Sequence, residues 1–211
     1  MKTLIEIGNA QMCDKGDAQH SHAGESYFDV YERWFNPLRD KHINFLELGV
    51  RDGKSLRVWR EYFEHANILG VDINPQSAHQ DTKGCKVEIC SQTDREKLTK
   101  ISKRVKGWDI VVDDASHLNK LTAQSFEILW PTVRPGGLYI IEDLKVSYMN
   151  LEHTPEEWNF IHLNPDHPSR INIREDLDKI FREKIKDIDF AKGDVRSVSF
   201  YHQMVILEKI R

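Results

Sequence analysis

Asn44-Phe-Leu-Glu-Leu-Gly-Val-Arg-Asp-Gly-Lys-Ser55 decides the fold class, because an apolar run passes there into a glycine turn and then into a helical pattern. In a parallel α/β sheet, a strand, turn and helix in this order leave free backbone N–H groups at the strand's carboxyl end, where a nucleotide sits. Glu47 and Asp72 stand near the ends of two successive apolar runs, 43–50 and 68–73, so each is expected to place a carboxylate at the mouth of the sheet. That spacing suits the two hydroxyls of a ribose.

Outward from this stretch, strand patterns fall at 43–49, 68–73, 86–90, 108–113, 137–142, 188–192 and 197–209, with helical patterns at 55–65, 95–104, 120–133 and 174–186. The order is a βαβ series, which predicts an α/β fold with a mostly parallel seven-stranded sheet closed by an antiparallel C-terminal hairpin. Arg134-Pro-Gly-Gly137 is expected to stop the preceding helix before the next strand. Ile173, Leu177, Ile180, Phe181 and Ile185 form an apolar stripe on the last helix, which predicts packing on the core. Residues 1–40 and 145–170 are less regular; both are expected to fold over the open end of the sheet, the first as an N-terminal lid segment before a domain at 41–211.

At 211 residues, one well-filled domain accounts for the chain. Thirty Lys and Arg against 34 Asp and Glu leave a net charge of -4 with no basic block, which argues against nucleic acid. No run approaches the roughly 20 apolar residues of a membrane helix, and the N-terminus lacks an apolar signal core, so a cytoplasmic protein without a membrane partner is expected. Cys13, Cys85 and Cys90 are odd in number and lack CxxC spacing, which points to reduced, structural thiols.

Gly49 and Gly53 permit a tight turn, and the helix starting near Ser55 aims its N–H groups at the same place. The spacing is GxxxG, not the GxGxxG that holds a dinucleotide pyrophosphate, which disfavours a nicotinamide-dependent oxidoreductase. S-adenosylmethionine, with its amino acid and sulfonium, carries no phosphate. Asp72 is the candidate ribose ligand, with a helix cap or turn as the structural alternative. Ser91 and Gln92 could reach an adenine edge, while Asp94 is expected to cap the next helix.

Two strand ends carry the densest chemistry: Asp109-Ile-Val-Val-Asp-Asp-Ala-Ser-His117 and Tyr139-Ile-Ile-Glu-Asp143. Four acids at one sheet edge repel one another unless a proton or cation separates them. Asp114, Glu142 and Asp143 offer hard oxygens suited to Mg2+. Asp113 is assigned to the cofactor side, with backbone N–H contacts as the bland alternative. His117 is the candidate general base, since an imidazole can take a proton from a hydroxyl that a metal makes more acidic.

Together these residues resemble the metal-dependent O-methyltransferases of the macrolide-sugar group, the macrocin and mycinamicin branch related to cephalosporin-hydroxylase-like and rhamnosyl O-methyltransferases. The resemblance rests on Leu46-Glu-Leu-Gly-Val50, Gly70-Val-Asp-Ile73, Asp113-Asp-Ala-Ser-His117, Gly136-Gly-Leu-Tyr-Ile-Ile-Glu-Asp143 and Val198-Ser-Phe-Tyr201, and spans about residues 10 to 209. It implies a single Rossmann-like class I methyltransferase domain using S-adenosylmethionine. It also implies Mg2+ on Asp114, Glu142 and Asp143, with His117 as base. Asp14-Lys-Gly16, His20, Tyr27 and Tyr31 resemble the group's segment near the active-site mouth, without an assigned role. Ala115 and Lys145 depart from the group's usual glycine and histidine.

The expected reaction is methyl transfer to a sugar hydroxyl of a glycan, glycoside or nucleotide-sugar, the acceptor being a small molecule or a glycan, with assembly into a homo-oligomer left open. A catechol-like acceptor is the nearest alternative. A noncatalytic scaffold has no reason to maintain so repulsive a set of acids.

Overall fold

The computed structural model describes residues 1–148 and 172–210. Among them lie helices α1 (Leu4–Ala10), α2 (Tyr27–Phe35), α3 (Lys54–Tyr62), α4 (Arg95–Ser102), α5 (Asn119–Leu129) and α6 (Glu175–Asp189). The strands are β1 (Ser21–His22), β2 (Glu25–Ser26), β3 (Asn44–Leu48), β4 (Asn67–Asp72), β5 (Lys86–Ile89), β6 (Trp108–Asp113), β7 (Val133–Ile141), β8 (Val195–Tyr201) and β9 (Met204–Lys209).

β1 and β2 form a small antiparallel pair, and the other seven strands form one sheet in the order β5-β4-β3-β6-β7-β9-β8. The first five run parallel, and β9 returns antiparallel between β7 and β8. This is the α/β seven-stranded arrangement expected from the sequence. The direction of winding reverses between β3 and β6, and in open parallel sheets ligands occupy the crevice at such a switch point.

Strand alternation splits the core into two layers. Phe45, Ile68, Ile110, Val112, Ile140 and Ile206 pack with helices α1 to α3. Leu46, Leu69, Val71, Val111, Ile141 and Leu207 pack on the opposite face with α4 to α6. Trp59 anchors the first layer, its ring 5.5 Å from Phe45 and 5.7 Å from Phe35.

The N-terminal segment is more regular than its sequence suggested. Thr3 and Glu6 close a capping box on α1, Ser26 and Asp29 another on α2, and Leu4, Ile7, Phe28, Tyr31 and Phe35 are buried. The S/T-x-x-E/D signals were present, but helices of 7 and 9 residues carry too little periodicity to stand out.

Three further expectations change. The 188–192 run is not a strand: α6 continues to Asp189, with Ile188 and Phe190 exposed, and Ala191 and Gly193 at positive φ turn the chain. The single run 197–209 lies instead within the two hairpin strands, Tyr201 pairing with Met204 around Gln203 at φ 58. Arg134-Pro-Gly-Gly137 lies inside β7, at an irregularity between Trp108 and Ile110, while α5 stops at Leu129 ahead of Pro131. Of the apolar stripe, Leu177, Ile180 and Phe181 on α6 are buried as expected, but Ile173, which precedes the helix, and Ile185 are exposed. Of the expected covering segment 145–170, residues 149–170 lie outside the described residues.

Asp194 ties the C-terminal elements together. Its carboxylate accepts from Trp130 Nε1 at 2.9 Å and lies 3.2 Å from Lys184 Nζ and 3.4 Å from Lys209 Nζ. Burial opposes its charge, but the indole N–H and the two ammonium groups outweigh that and lower its pKa. Because the side chain is partly exposed, Asp194→Asn should cost about 1 kcal/mol at neutral pH. A depressed acid stabilises above its unfolded pKa and loses that contribution as pH falls through the folded one. The gap in Tm between the two proteins should therefore close below about pH 4 in a thermal-melt series.

Candidate active site

The parallel register brings four strand ends to one crevice. Gly49 N–H donates to the Val71 carbonyl at 2.8 Å, Asp114 N–H to Leu48 at 2.9 Å and Glu142 N–H to Asp113 at 3.1 Å. The loops they begin surround a cavity of about 740 Å³, a size suited to a small molecule.

One side of the cavity is formed by the glycine loop and the ends of β4 and β5, with Gly49, Ser55, Asp72, Ser91 and Gln92 on its wall. Asp72 Oδ2 accepts from the N–H groups of Val50 and Arg51, both at 2.8 Å, and Oδ1 accepts from Asn74 N–H at 2.8 Å. The carboxylate thus braces the glycine loop while lining the cavity. Gln92 is largely turned inward: its amide nitrogen reaches Asp113 and Ser125, and its oxygen accepts from Ser116 N–H at 3.1 Å.

Glu47, Gly53 and Asp113 do not reach the cavity wall. Glu47 shares a strand face with Phe45, so it points toward α3, where Ser55 Oγ donates to it at 2.8 Å. Burial, outweighing the pull of Lys15, pushes its pKa up to about 7. Gly53, at φ 76, caps α3 from below. Asp113 lies under the floor, accepting from Ser125 Oγ and from Tyr139 OH at 3.2 Å, and burial raises its pKa to about 6. The alternation of the strand, which the motif alone does not weigh, sets both carboxylates on inward faces.

The other side holds the acids. Asp114, His117 and Asp143 each offer a ligand atom, and these atoms lie within 4.8 Å of one another. His117 Nε2 is 3.7 Å from Asp143 Oδ2. Both residues have left-handed backbones, φ 56 and 55, a conformation that His and Asp tolerate and that concentrates at functional sites. The carboxylate pair fits a hard divalent cation, whereas the imidazole is a poorer match for Mg2+.

Glu142 is not part of that trio. Its Oε2 receives Lys15 Nζ at 2.5 Å and its Oε1 receives the Tyr31 hydroxyl. Burial and the Asp114 charge push Glu142 up to about 8, against the pull of Lys15. Burial also opposes the Lys15 charge, but Asp114, at 2.6 Å, and Glu142 more than compensate and raise its pKa. The two acids account for the rise of Lys15, whereas burial and Asp114, not the cation, account for that of Glu142.

His20 is the second histidine at Asp143. Its Nδ1 donates to the Asp14 carbonyl at 2.7 Å and its Nε2 lies 3.5 Å from Asp143 Oδ1, which also accepts from Tyr27 OH at 3.1 Å. Burial lowers the His20 pKa, but Asp143 and the Asp14 carbonyl prevail and raise it. In turn, burial works against the Asp143 charge, while His20 and then His117 keep the carboxyl ionised. The roles of Lys15, His20, Tyr27 and Tyr31 escaped the sequence because their partners lie about a hundred or more residues away. The surplus of acids was the one hint that a buried cation was needed.

Residues 46–144 match a family described as a methyltransferase domain. Over 130 residues the chain is 36% identical to 8-demethyl-8-alpha-L-rhamnosyl tetracenomycin-C 2'-O-methyltransferase of Streptomyces olivaceus, covering 58% of this chain and 34% of that protein. It is 38% identical over 125 residues to demethylmacrocin O-methyltransferase of Streptomyces fradiae, covering 56% of this chain and 31% of that protein. The solved MycE methyltransferase from the mycinamycin biosynthetic pathway, in complex with Mg, SAH and mycinamycin VI, superposes with a TM-score of 0.76 at 29% identity, over 100% of this chain and 55% of MycE. The match therefore spans about a third of the curated relatives and about half of MycE. Among the described residues, no helix is long and apolar enough to cross a membrane.

Proposed function

We propose, from the match of residues 46–144 to a family described as a methyltransferase domain, that the protein transfers the methyl group of S-adenosylmethionine to a sugar hydroxyl. The observation that carries the reading is the convergence of Asp114, His117 and Asp143 on the cavity that Gly49 and Asp72 also line. The likeness to rhamnosyl and macrocin O-methyltransferases, and to MycE with Mg and SAH bound, supports the donor, the ion and the acceptor class.

The glycine loop and Asp72 hold the donor, with Ser91 and Gln92 beside its base. Asp114 and Asp143 would hold Mg2+. When bound, the ion supplies Lewis acidity that makes a hydroxyl easier to deprotonate. His117 Nε2 takes the hydroxyl proton as the sugar oxygen attacks the methyl carbon; the C–S bond breaks and S-adenosylhomocysteine leaves as a neutral thioether. His20 and Tyr27 hold Asp143 in place from the far side. The cavity walls fix donor and acceptor in line, which is the larger part of the catalysis available to a displacement of this kind.

Calorimetry should detect S-adenosylhomocysteine binding and no binding of NAD. Methylation of deoxysugar glycosides should stop in EDTA and return with Mg2+. Binding of NAD alone would overturn the donor assignment, and undiminished turnover in EDTA would overturn the ion.

A further inference from the structure

Lys15 occupies an unusual place for a lysine. Its side chain is 4% exposed, and its ammonium lies 2.6 Å from Asp114 Oδ2 and 2.5 Å from Glu142 Oε2. Its backbone is fixed as well: the 3-10 turn Asp14–Gly16 is closed by Asp17 N–H on the Asp14 carbonyl at 2.8 Å, and the same carbonyl accepts from His20. Gly16 packs against Phe28 of α2, where a β-carbon would lie 3.2 Å from the ring. The remaining oxygen of Glu142 is closed off by Tyr31, itself fully buried.

Glu142 is buried and Asp114 partly exposed, so the two acids together require a cation, and a compact ammonium between their oxygens provides one without any ion from solution. The same charge repels a divalent ion from the gap between Asp114 and Glu142. We propose that Lys15 is the chain's own counter-cation for Asp114 and Glu142, a positioning residue that makes the folded state independent of metal and confines a divalent ion to the side of Asp114, His117 and Asp143. The confinement rests on the methyltransferase reading, whereas the counter-cation role does not.

The test compares wild type, Lys15→Met and the charge-balanced double variant Lys15→Met/Glu142→Gln, by thermal unfolding in EDTA and in excess Mg2+, with Mg2+ binding followed by calorimetry. The wild-type Tm should differ little between the two conditions. Lys15→Met should lose about 6–20 °C in EDTA, as expected for a buried pair stripped of one partner, and recover much of it in Mg2+. It should also bind Mg2+ about tenfold more tightly, because a like charge has gone. The double variant should regain most of the lost Tm in EDTA and lack the tighter binding.

An unchanged Tm for Lys15→Met in EDTA would overturn the counter-cation role. So would a double variant as unstable as the single one, since the loss would then be packing and not charge. Wild type that binds no Mg2+ would overturn the ion reading and the confinement, and the three melts in EDTA would still decide the role of Lys15.

Discussion

His117→Ala should lower turnover by about 10²- to 10⁴-fold, the range typical of a lost general base and equivalent to about 3–5 kcal/mol of barrier. S-adenosylhomocysteine affinity should be little changed, because the glycine loop, Asp72 and the β5 end stand on the other side of the cavity. Two contacts position His117, one on its backbone and one on its ring. Asn172 Nδ2 donates to the His117 carbonyl at 2.9 Å, and Nε2 faces Asp143 at 3.7 Å. Steady-state kinetics and calorimetry on one preparation separate the two effects. Wild-type turnover would remove His117 from the mechanism, and an equal loss of affinity and rate would make it a wall of the donor pocket instead.

Gly49→Ala should cost about 3 kcal/mol or more of stability and abolish donor binding in whatever fraction folds. Gly49 has φ +90, and a β-carbon there would lie 2.1 Å from the Asp114 carbonyl oxygen, 2.7 Å from its carbonyl carbon and 3.0 Å from Ala115 Cα. These are backbone atoms, so no side chain can swing aside to relieve the clash. Displacing Asp114 would also move its carboxylate away from His117 and Asp143, which couples the stability loss to the site. Urea unfolding reads the first effect and calorimetry the second; a variant with the wild-type midpoint would contradict this account of the loop.

The sheet was legible because its parallel strands are buried on both faces and read as predominantly apolar runs, with Phe45, Leu46 and Leu48 in β3 and Ile110, Val111 and Val112 in β6. The strand ends were legible because polar residues stop those runs abruptly, at Asp72, Asp113 and Glu142. Local signals failed where the chain's own pattern was short or divided. The hairpin of β8 and β9 reads as one run because its two-residue turn, His202-Gln203, is polar in a strand that already alternates. The last turn of α6 reads as a strand because Ile188 and Phe190 imitate alternation.

The sequence by itself determined the α/β class, the glycine loop and the presence of Asp114, Glu142, Asp143 and His117 at adjacent strand ends, since these follow from patterns a few residues long. Only the tertiary structure decided which carboxylates face the cavity. Strand alternation turns Glu47 and Asp113 inward, and Lys15, 127 residues from Glu142 in the chain, ties that acid to Asp114 through its ammonium. The charge balance of a buried site is a sum over groups brought together by folding. No local stretch of sequence contains it.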